Sequence, residues 1–287
     1  MQTPEIIGFM LVRNEDLFVE QALMNVLDFC DRIIVLDNDS QDGTAAILAR
    51  LSATHSKIEV QQISDTSRSH EPLEPLAGGN IWVLGVDGDE LYDARRLQAV
   101  REKIVQGVFR DWWVLFGNVL NCAEIDWGSL QGRGYLAPPC RSMTKLYNFQ
   151  MLKSWTNCPQ RLHGGEQHFV RGDASLRHDI YKHVAWDDAE FRCLHTCFMR
   201  RSTLDPEMQP SEMARQNVTE EQHAGMKRAM VRWLLSRVGR QLRSNWKLEK
   251  YQRGPLVTAD VSPFLTRPAA DGVQASPADR TAVTASQ

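Results

Sequence analysis

No stretch of this chain approaches the roughly 18 consecutive apolar residues of a membrane-spanning helix. Its six cysteines (Cys30, Cys122, Cys140, Cys158, Cys193 and Cys197) contain no C-x-x-C pair and no zinc-ribbon spacing. That excludes a thioredoxin-like redox motif and points to reduced thiols in a cytosolic protein. Neither sign of charge dominates: the net charge of −3 supplies no global field that would draw nucleic acid. There is no internal repeat, and the N-terminus lacks the basic-then-apolar layout of a secretion signal, so a cytoplasmic location is expected. What remains is ordinary globular material, 43% apolar and 24% charged, sufficient for a buried core in one large domain or two.

The most informative stretch is Ile81-Trp82-Val83-Leu84-Gly85-Val86-Asp87-Gly88-Asp89-Glu90. An apolar run of this length reads as a buried strand. The acids fall at its carboxyl end, the edge where open α/β sheets bind ligands. Carboxylates packed so closely repel one another unless a cation sits among them, and hard oxygen ligands suit Mg²⁺ or Mn²⁺ bridged to a substrate's phosphates. By itself the tetrapeptide is equally compatible with a solvated acidic turn.

The flanking pattern alternates. Strands are expected at Ile6–Val12, Ile33–Leu36 and Ile58–Ile63, with helices after Arg13-Asn14-Glu15-Asp16, over 44–51 and over 94–106. Asn14 or Asp16 would cap the first helix, and Gly107 would stop the last. Residues 64–80 read as loop, and Trp112–Leu120 and Met143–Phe149 as further strands. Such alternation implies a mostly parallel sheet with helices on both faces. The second and fourth strands both end in acids, so one sheet edge collects Asp37, Asp39, Asp87 and Asp89. An EF-hand starting at Asp37 fails, because Asp42 and Leu48 stand where Gly and Glu are required. An aspartyl-phosphate motif fails at Leu91.

Together, Val12-Arg13-Asn14-Glu15-Asp16, the run Asp31 to Thr44 and Val86-Asp87-Gly88-Asp89-Glu90 resemble the GT-A fold glycosyltransferases of family 2. The motifs span about residues 6–93, with a looser likeness to about residue 203. The resemblance implies a Rossmann-like α/β domain that binds a nucleotide-diphosphate sugar with Mg²⁺ or Mn²⁺. Asp37 would contact the nucleoside, with Asp39 beside it. Asp87 and Asp89 would form the Asp-x-Asp metal motif, with Asp89 the direct ligand, while Arg13 and Glu15 would line the nucleotide pocket. In Cys193-Leu194-His195-Thr196-Cys197-Phe198-Met199-Arg200-Arg201, His195 would face the metal and Arg200 and Arg201 the diphosphate. Zinc at Cys193, His195 and Cys197 has no fourth ligand in any usual spacing.

An inverting transferase needs a base for the acceptor hydroxyl. Glu166, in Arg161-Leu162-His163-Gly164-Gly165-Glu166, is the first candidate, then Asp187 and Asp126, both beside tryptophans that could stack on sugar rings. Lys145 points either into the cleft or to solvent. The family resemblance implies a carbohydrate or lipid-linked acceptor in surface polysaccharide or lipopolysaccharide assembly; the residues themselves do not identify it.

The expected organisation is a catalytic domain over 1–205 (nucleotide-sugar half 1–110, acceptor half 111–205), a basic amphipathic helical extension over 206–254 and a disordered tail over 255–287. The basic residues within 222–253, with an apolar stripe and Trp246, suit either an anionic membrane surface or packing on the catalytic domain. A non-catalytic nucleotide-sugar-binding or scaffold protein and a nucleotidyltransferase are the competing readings. The latter would call for a Gly-rich basic loop where Arg13-Asn14-Glu15-Asp16 stands.

Overall fold

The computed structural model of the chain describes residues 3–137, 145–204 and 251–265. Its first half alternates as expected: β1 (Glu5–Val12), α1 (Val19–Val26), β2 (Arg32–Asp37), α2 (Thr44–Thr54), β3 (Ile58–Gln62), β4 (Ile81–Val86), β5 (Glu90–Tyr92) and α3 (Ala94–Val105). Then follow β6 (Val114–Phe116), β7 (Asn118–Asp126), β8 (Gln131–Ala137), β9 (Lys145–Asn148), β10 (Leu152–Thr156), β11 (Glu166–Phe169), β12 (Arg177–Asp179), β13 (Arg192–His195), β14 (Leu256–Asp260) and α4 (Ser262–Leu265). Two short 3-10 turns, Thr66–Arg68 and Glu71–Leu76, break up the loop before β4.

A seven-stranded sheet runs in the order β12-β6-β9-β4-β1-β2-β3, with β3, β2, β1 and β4 parallel and β9 reversed. This is the largely parallel α/β architecture expected. Both faces are covered, so β1, β2 and β4 are almost continuously apolar: Ile6, Ile7, Phe9, Met10, Ile33, Val35, Leu36, Val83 and Leu84 are all buried. A five-stranded sheet, β14-β8-β7-β13-β5, packs beyond it. The α3 helix has clear ends. The Asp93 carboxylate accepts from the Arg96 amide at 3.1 Å, and Gly107, at φ +76°, takes the left-handed turn after its last residues.

Three sequence-based expectations are corrected. The helix after β1 begins at Val19, and neither Asn14 nor Asp16 caps it. Both side chains instead receive amides of the next loop, Gln41 N–H on Asn14 and Gly43 N–H on Asp16. The stretch Trp112–Leu120 is two strands, β6 and β7, which separate at Gly117 and enter different sheets. The β7–β8 hairpin extends well past that stretch. The expected tail from residue 255 is structured as far as 265: β14 pairs antiparallel with β8 and Phe264 is completely buried, stacked on Trp186 at 5.5 Å. Residues 205–250, most of the expected basic extension, and 266–287 lie outside the described residues. No helix among the described residues is long and apolar enough to cross a membrane.

Because Phe264 packs on Trp186 and lies over the Arg192 guanidinium at 5.1 Å, Phe264→Ala should lower unfolding free energy by about 3–5 kcal/mol in urea denaturation. A residue in an unstructured tail would change it by nothing measurable.

Candidate functional site

The acidic turn joins the two sheets. β4 ends at Val86 in the large sheet, and after Asp87-Gly88-Asp89 the chain enters the small sheet as β5. Glu90 N–H closes the turn on the Asp87 carbonyl at 2.9 Å. β13 then lies antiparallel to β5, with His195 opposite Glu90, and parallel to β7, with His195 opposite Asn121. This register brings His195 Nε2 to 3.5 Å from Asp89 Oδ2, while its Nδ1 bonds Asn121 Oδ1 at 2.9 Å. The Thr196 amide fixes the Asp89 carbonyl at 2.9 Å. Asp89 is only 3% exposed.

Behind the turn stands Glu15, 6% exposed. One carboxylate oxygen lies 3.4 Å from Arg201 Nη1, which also reaches Asp89 Oδ2 at 3.1 Å. The other, Oε2, is buried and has no hydrogen-bond partner among the described residues. A Cβ at position 88 would lie 2.0 Å from that oxygen, so the turn admits only glycine while Glu15 keeps its place. Arg201 is held by a latch. Asp16 accepts from Thr203 N–H and Oγ1–H at 2.8 and 2.6 Å, Asp42 accepts from Ser202 Oγ–H at 2.6 Å, and Leu17 N–H donates to the Arg201 carbonyl at 3.1 Å.

Asp87 turns to a different partner. Its carboxylate pairs with the Arg161 guanidinium, from the loop between β10 and β11. Arg161 adopts a left-handed backbone, φ +46°, and its side-chain Nε is buried without a hydrogen-bond partner among the described residues. Sequence reasoning singled out this loop for Glu166 and missed Arg161, because nothing local announces a pairing 74 positions away. Asn121 was missed for the same reason.

Burial raises the Glu15 carboxyl to about 8, and Asp89 adds to the rise while Arg201 opposes it. Burial likewise lifts Glu90 to about 7, against the pull of His195. For Asp89, burial is outweighed by His195 and Arg201, which hold it well below the usual carboxylate range. Burial disfavours the His195 cation, but the Cys197 sulfur and the Asp89 carboxylate push the imidazole well above its ordinary value.

Among the described residues, no three His, Cys, Asp or Glu side chains come together closely enough to cage a metal ion by themselves, zinc at Cys193, His195 and Cys197 included. The donor chemistry nevertheless fits a hard divalent ion, which takes one or two carboxylates and completes its shell with phosphate and water. Asp89 and His195 are adjacent, and the unpartnered Glu15 oxygen lies behind the same turn.

The other expected site residues divide. Asp37 is fully buried, its carboxylate taken by Gln62 Nε2 at 2.7 Å and the Ser40 amide at 3.2 Å. Asp39 is exposed at φ +51°, and Arg13 is half-buried. Arg200 turns away from the acids to the Ser202 and Thr203 carbonyls, at 2.9 and 2.6 Å. Glu166 is exposed on β11 and Asp187 is exposed in a turn. Asp126 is committed to the β7–β8 turn, accepting from the Gly128 amide at 2.9 Å and Ser129 Oγ–H at 2.7 Å. Lys145 Nζ lies 3.5 Å from His163 Nδ1.

No protein-family profile matches the chain. Over 88 residues it is 33% identical to an uncharacterised glycosyltransferase of Rickettsia conorii, a match covering 31% of this chain and 30% of the relative. One from Rickettsia bellii is 31% identical over 88 residues, covering 31% and 29%. The matched part is thus about 30% of the length of these curated relatives. Among solved structures, the chain is similar to a mannosyltransferase from Pyrobaculum calidifontis in complex with GDP-Man and Mn²⁺ (TM-score 0.40, 13% identity, 74% of this chain and 60% of that one). It is also similar to S. aureus TarS (TM-score 0.38, 17% identity, 84% and 44%).

The contact between Glu15 and Gly88 makes a specific prediction. Gly88→Ala should destabilise the fold by about 1–3 kcal/mol, and Glu15→Ala in the same chain should restore most of that loss. A double-mutant cycle in chemical denaturation measures the coupling.

Proposed function

We propose that this protein is a metal-dependent glycosyltransferase that moves a sugar from a nucleotide-diphosphate donor to an acceptor hydroxyl, with inversion. One observation carries the reading. Asp89 ends the β4 turn at the carboxyl edge of a mostly parallel sheet, and His195, Arg201 and Glu15 converge on it. The sequence likeness to relatives named glycosyltransferases supports it.

In this reading Asp89 and His195 hold Mg²⁺ or Mn²⁺, with Asp87 close by. The bound ion supplies Lewis-acid neutralisation of the departing diphosphate. Arg161 and Arg201 add charge-assisted donors to the same oxygens. Glu15 and the buried Asp37 shape the nucleotide side of the pocket, with Arg13 and Asp39 at its rim. Arg200 braces the loop that presents Arg201. The acceptor oxygen, deprotonated by a carboxylate, attacks the anomeric carbon as the bond to the diphosphate breaks. Of the acids weighed as base, Asp126 is already spent on a hairpin turn. Asp187 is exposed in a turn whose Trp186 packs on Phe264 and Arg192. Glu166 follows directly on the loop whose Arg161 reaches Asp87, so it is the base in this proposal. A carbohydrate or lipid-linked acceptor, a role in surface polysaccharide assembly and contact of residues 222–253 with an anionic membrane complete the proposal on sequence grounds.

The protein incubated with UDP- and GDP-sugars, Mn²⁺ and an acceptor pool should release nucleoside diphosphate, and EDTA should stop the release. Asp89→Asn should lower turnover by at least about 100-fold. Nucleotide binding with no metal-dependent turnover on any donor would favour a binding protein instead. Glu166→Gln should cut kcat by about 10²–10⁴-fold while leaving nucleotide affinity nearly intact; unchanged kcat removes Glu166 as the base.

A further inference from the structure

His70 lies outside the acidic corner and is 2% exposed. Its Nδ1 faces the Arg161 carbonyl oxygen at 2.5 Å, and its Nε2 faces the Trp155 carbonyl oxygen at 2.8 Å. Both partners are acceptors only. Each ring nitrogen thus stands at hydrogen-bond distance from a main-chain oxygen, which fixes the plane and position of the imidazole. The ring is further confined by Trp155, at a centroid distance of 5.1 Å.

The neighbouring residue grips the same backbone. Ser69 Oγ accepts from the Arg161 amide at 2.8 Å and donates to the Thr66 carbonyl at 2.6 Å. Ser69 and His70 therefore hold both backbone polar groups of Arg161, the residue that occupies the left-handed region at φ +46°. That conformation is costly for a residue with a Cβ and persists only where its surroundings over-determine it. Glycine would adopt it freely, but glycine has no guanidinium to set against Asp87.

We propose that Ser69 and His70 form the clamp that positions Arg161 for the donor's diphosphate. His70 is thus a positioning residue that acts through a backbone carbonyl and touches no substrate. The assignment of Arg161 to the diphosphate rests on the sugar-transfer reading above; the grip on its backbone does not.

Two measurements on the full chain test the clamp. In native-state amide hydrogen exchange, the Arg161 amide should exchange at least about tenfold faster in Ser69→Ala and in His70→Gln than in wild type. Unchanged exchange would overturn the proposal. In titrations with UDP and GDP in the presence of Mn²⁺, His70→Gln and Ser69→Ala should each weaken binding by about tenfold, the size of one lost favourable contact. Either change combined with Arg161→Gln should be no weaker than Arg161→Gln alone, and additive losses would overturn the proposal. Should wild type bind neither nucleotide, the sugar-transfer reading falls. Amide exchange would still decide the clamp, faster exchange at Arg161 supporting it and unchanged exchange refuting it.

Discussion

The Arg201 guanidinium, shared between Glu15 and Asp89, is the interaction on which the acidic corner depends. Two nearly solvent-free carboxyls that touch one cation do not ionise alike: Arg201 and His195 keep Asp89 charged, while for Glu15 Arg201 only opposes the rise that burial causes. Arg201 stands 186 positions after Glu15, so the first half of the chain does not complete this corner by itself. The cation must be brought back, and the latch that returns it is also acidic. Asp16 and Asp42, from the loops after β1 and β2, take up the hydroxyls and an amide of Ser202 and Thr203. The strand-end acids therefore do two kinds of work. Asp89 supplies charge at the corner and Glu15 a carboxyl that burial keeps largely protonated, while Asp16 and Asp42 hold the segment that carries Arg201.

Topology does the rest. Because the chain changes sheets at Asp87-Gly88-Asp89, the turn is gripped from both sides, by the β1 strand end behind it and by β13 beyond it. A flexible acidic loop would pay an ordering cost each time it met a ligand. Here Thr196 fixes the Asp89 carbonyl, Asn121 orients the His195 ring, and the missing side chain of Gly88 leaves room for the Glu15 carboxylate. Preorganisation of this kind is what makes charged groups effective at a reacting centre.

The parallel strands and their acidic ends were legible in the sequence, because apolar runs that stop at acids leave a local signature; His195 entered only through the family resemblance. What failed were inferences that treated polar residues as serving their own segment. Asn14 and Asp16 looked like helix caps and are staples to the following loop. Arg200 and Arg201 looked alike, but only the second faces the acids; neighbouring side chains diverge, and nothing in the pair says which one turns inward. β14 was invisible because it is an edge strand with alternate residues exposed, so its composition matches that of a loop. Arg161 and His70 were invisible because their partners are distant in sequence, and in the case of His70 they are backbone carbonyls that any residue would supply.

Two buried polar atoms at the corner find no hydrogen-bond partner among the described residues, Glu15 Oε2 and Arg161 Nε. Leaving such a group unpaired costs about 1–3 kcal/mol, and folded proteins keep few of them. Arg161 Nε is a donor. The Glu15 carboxyl is raised to about 8 and its other oxygen faces Arg201, so at neutral pH the proton sits on Oε2, and this atom too seeks an acceptor until a cation displaces the proton. Phosphate oxygens answer both atoms, and a divalent cation beside Asp89 answers Glu15 by releasing its proton. Within the proposed sugar-transfer reading, a diphosphate brought in with its metal ion therefore meets both demands at once, whereas a metal ion alone leaves the arginine unpaired.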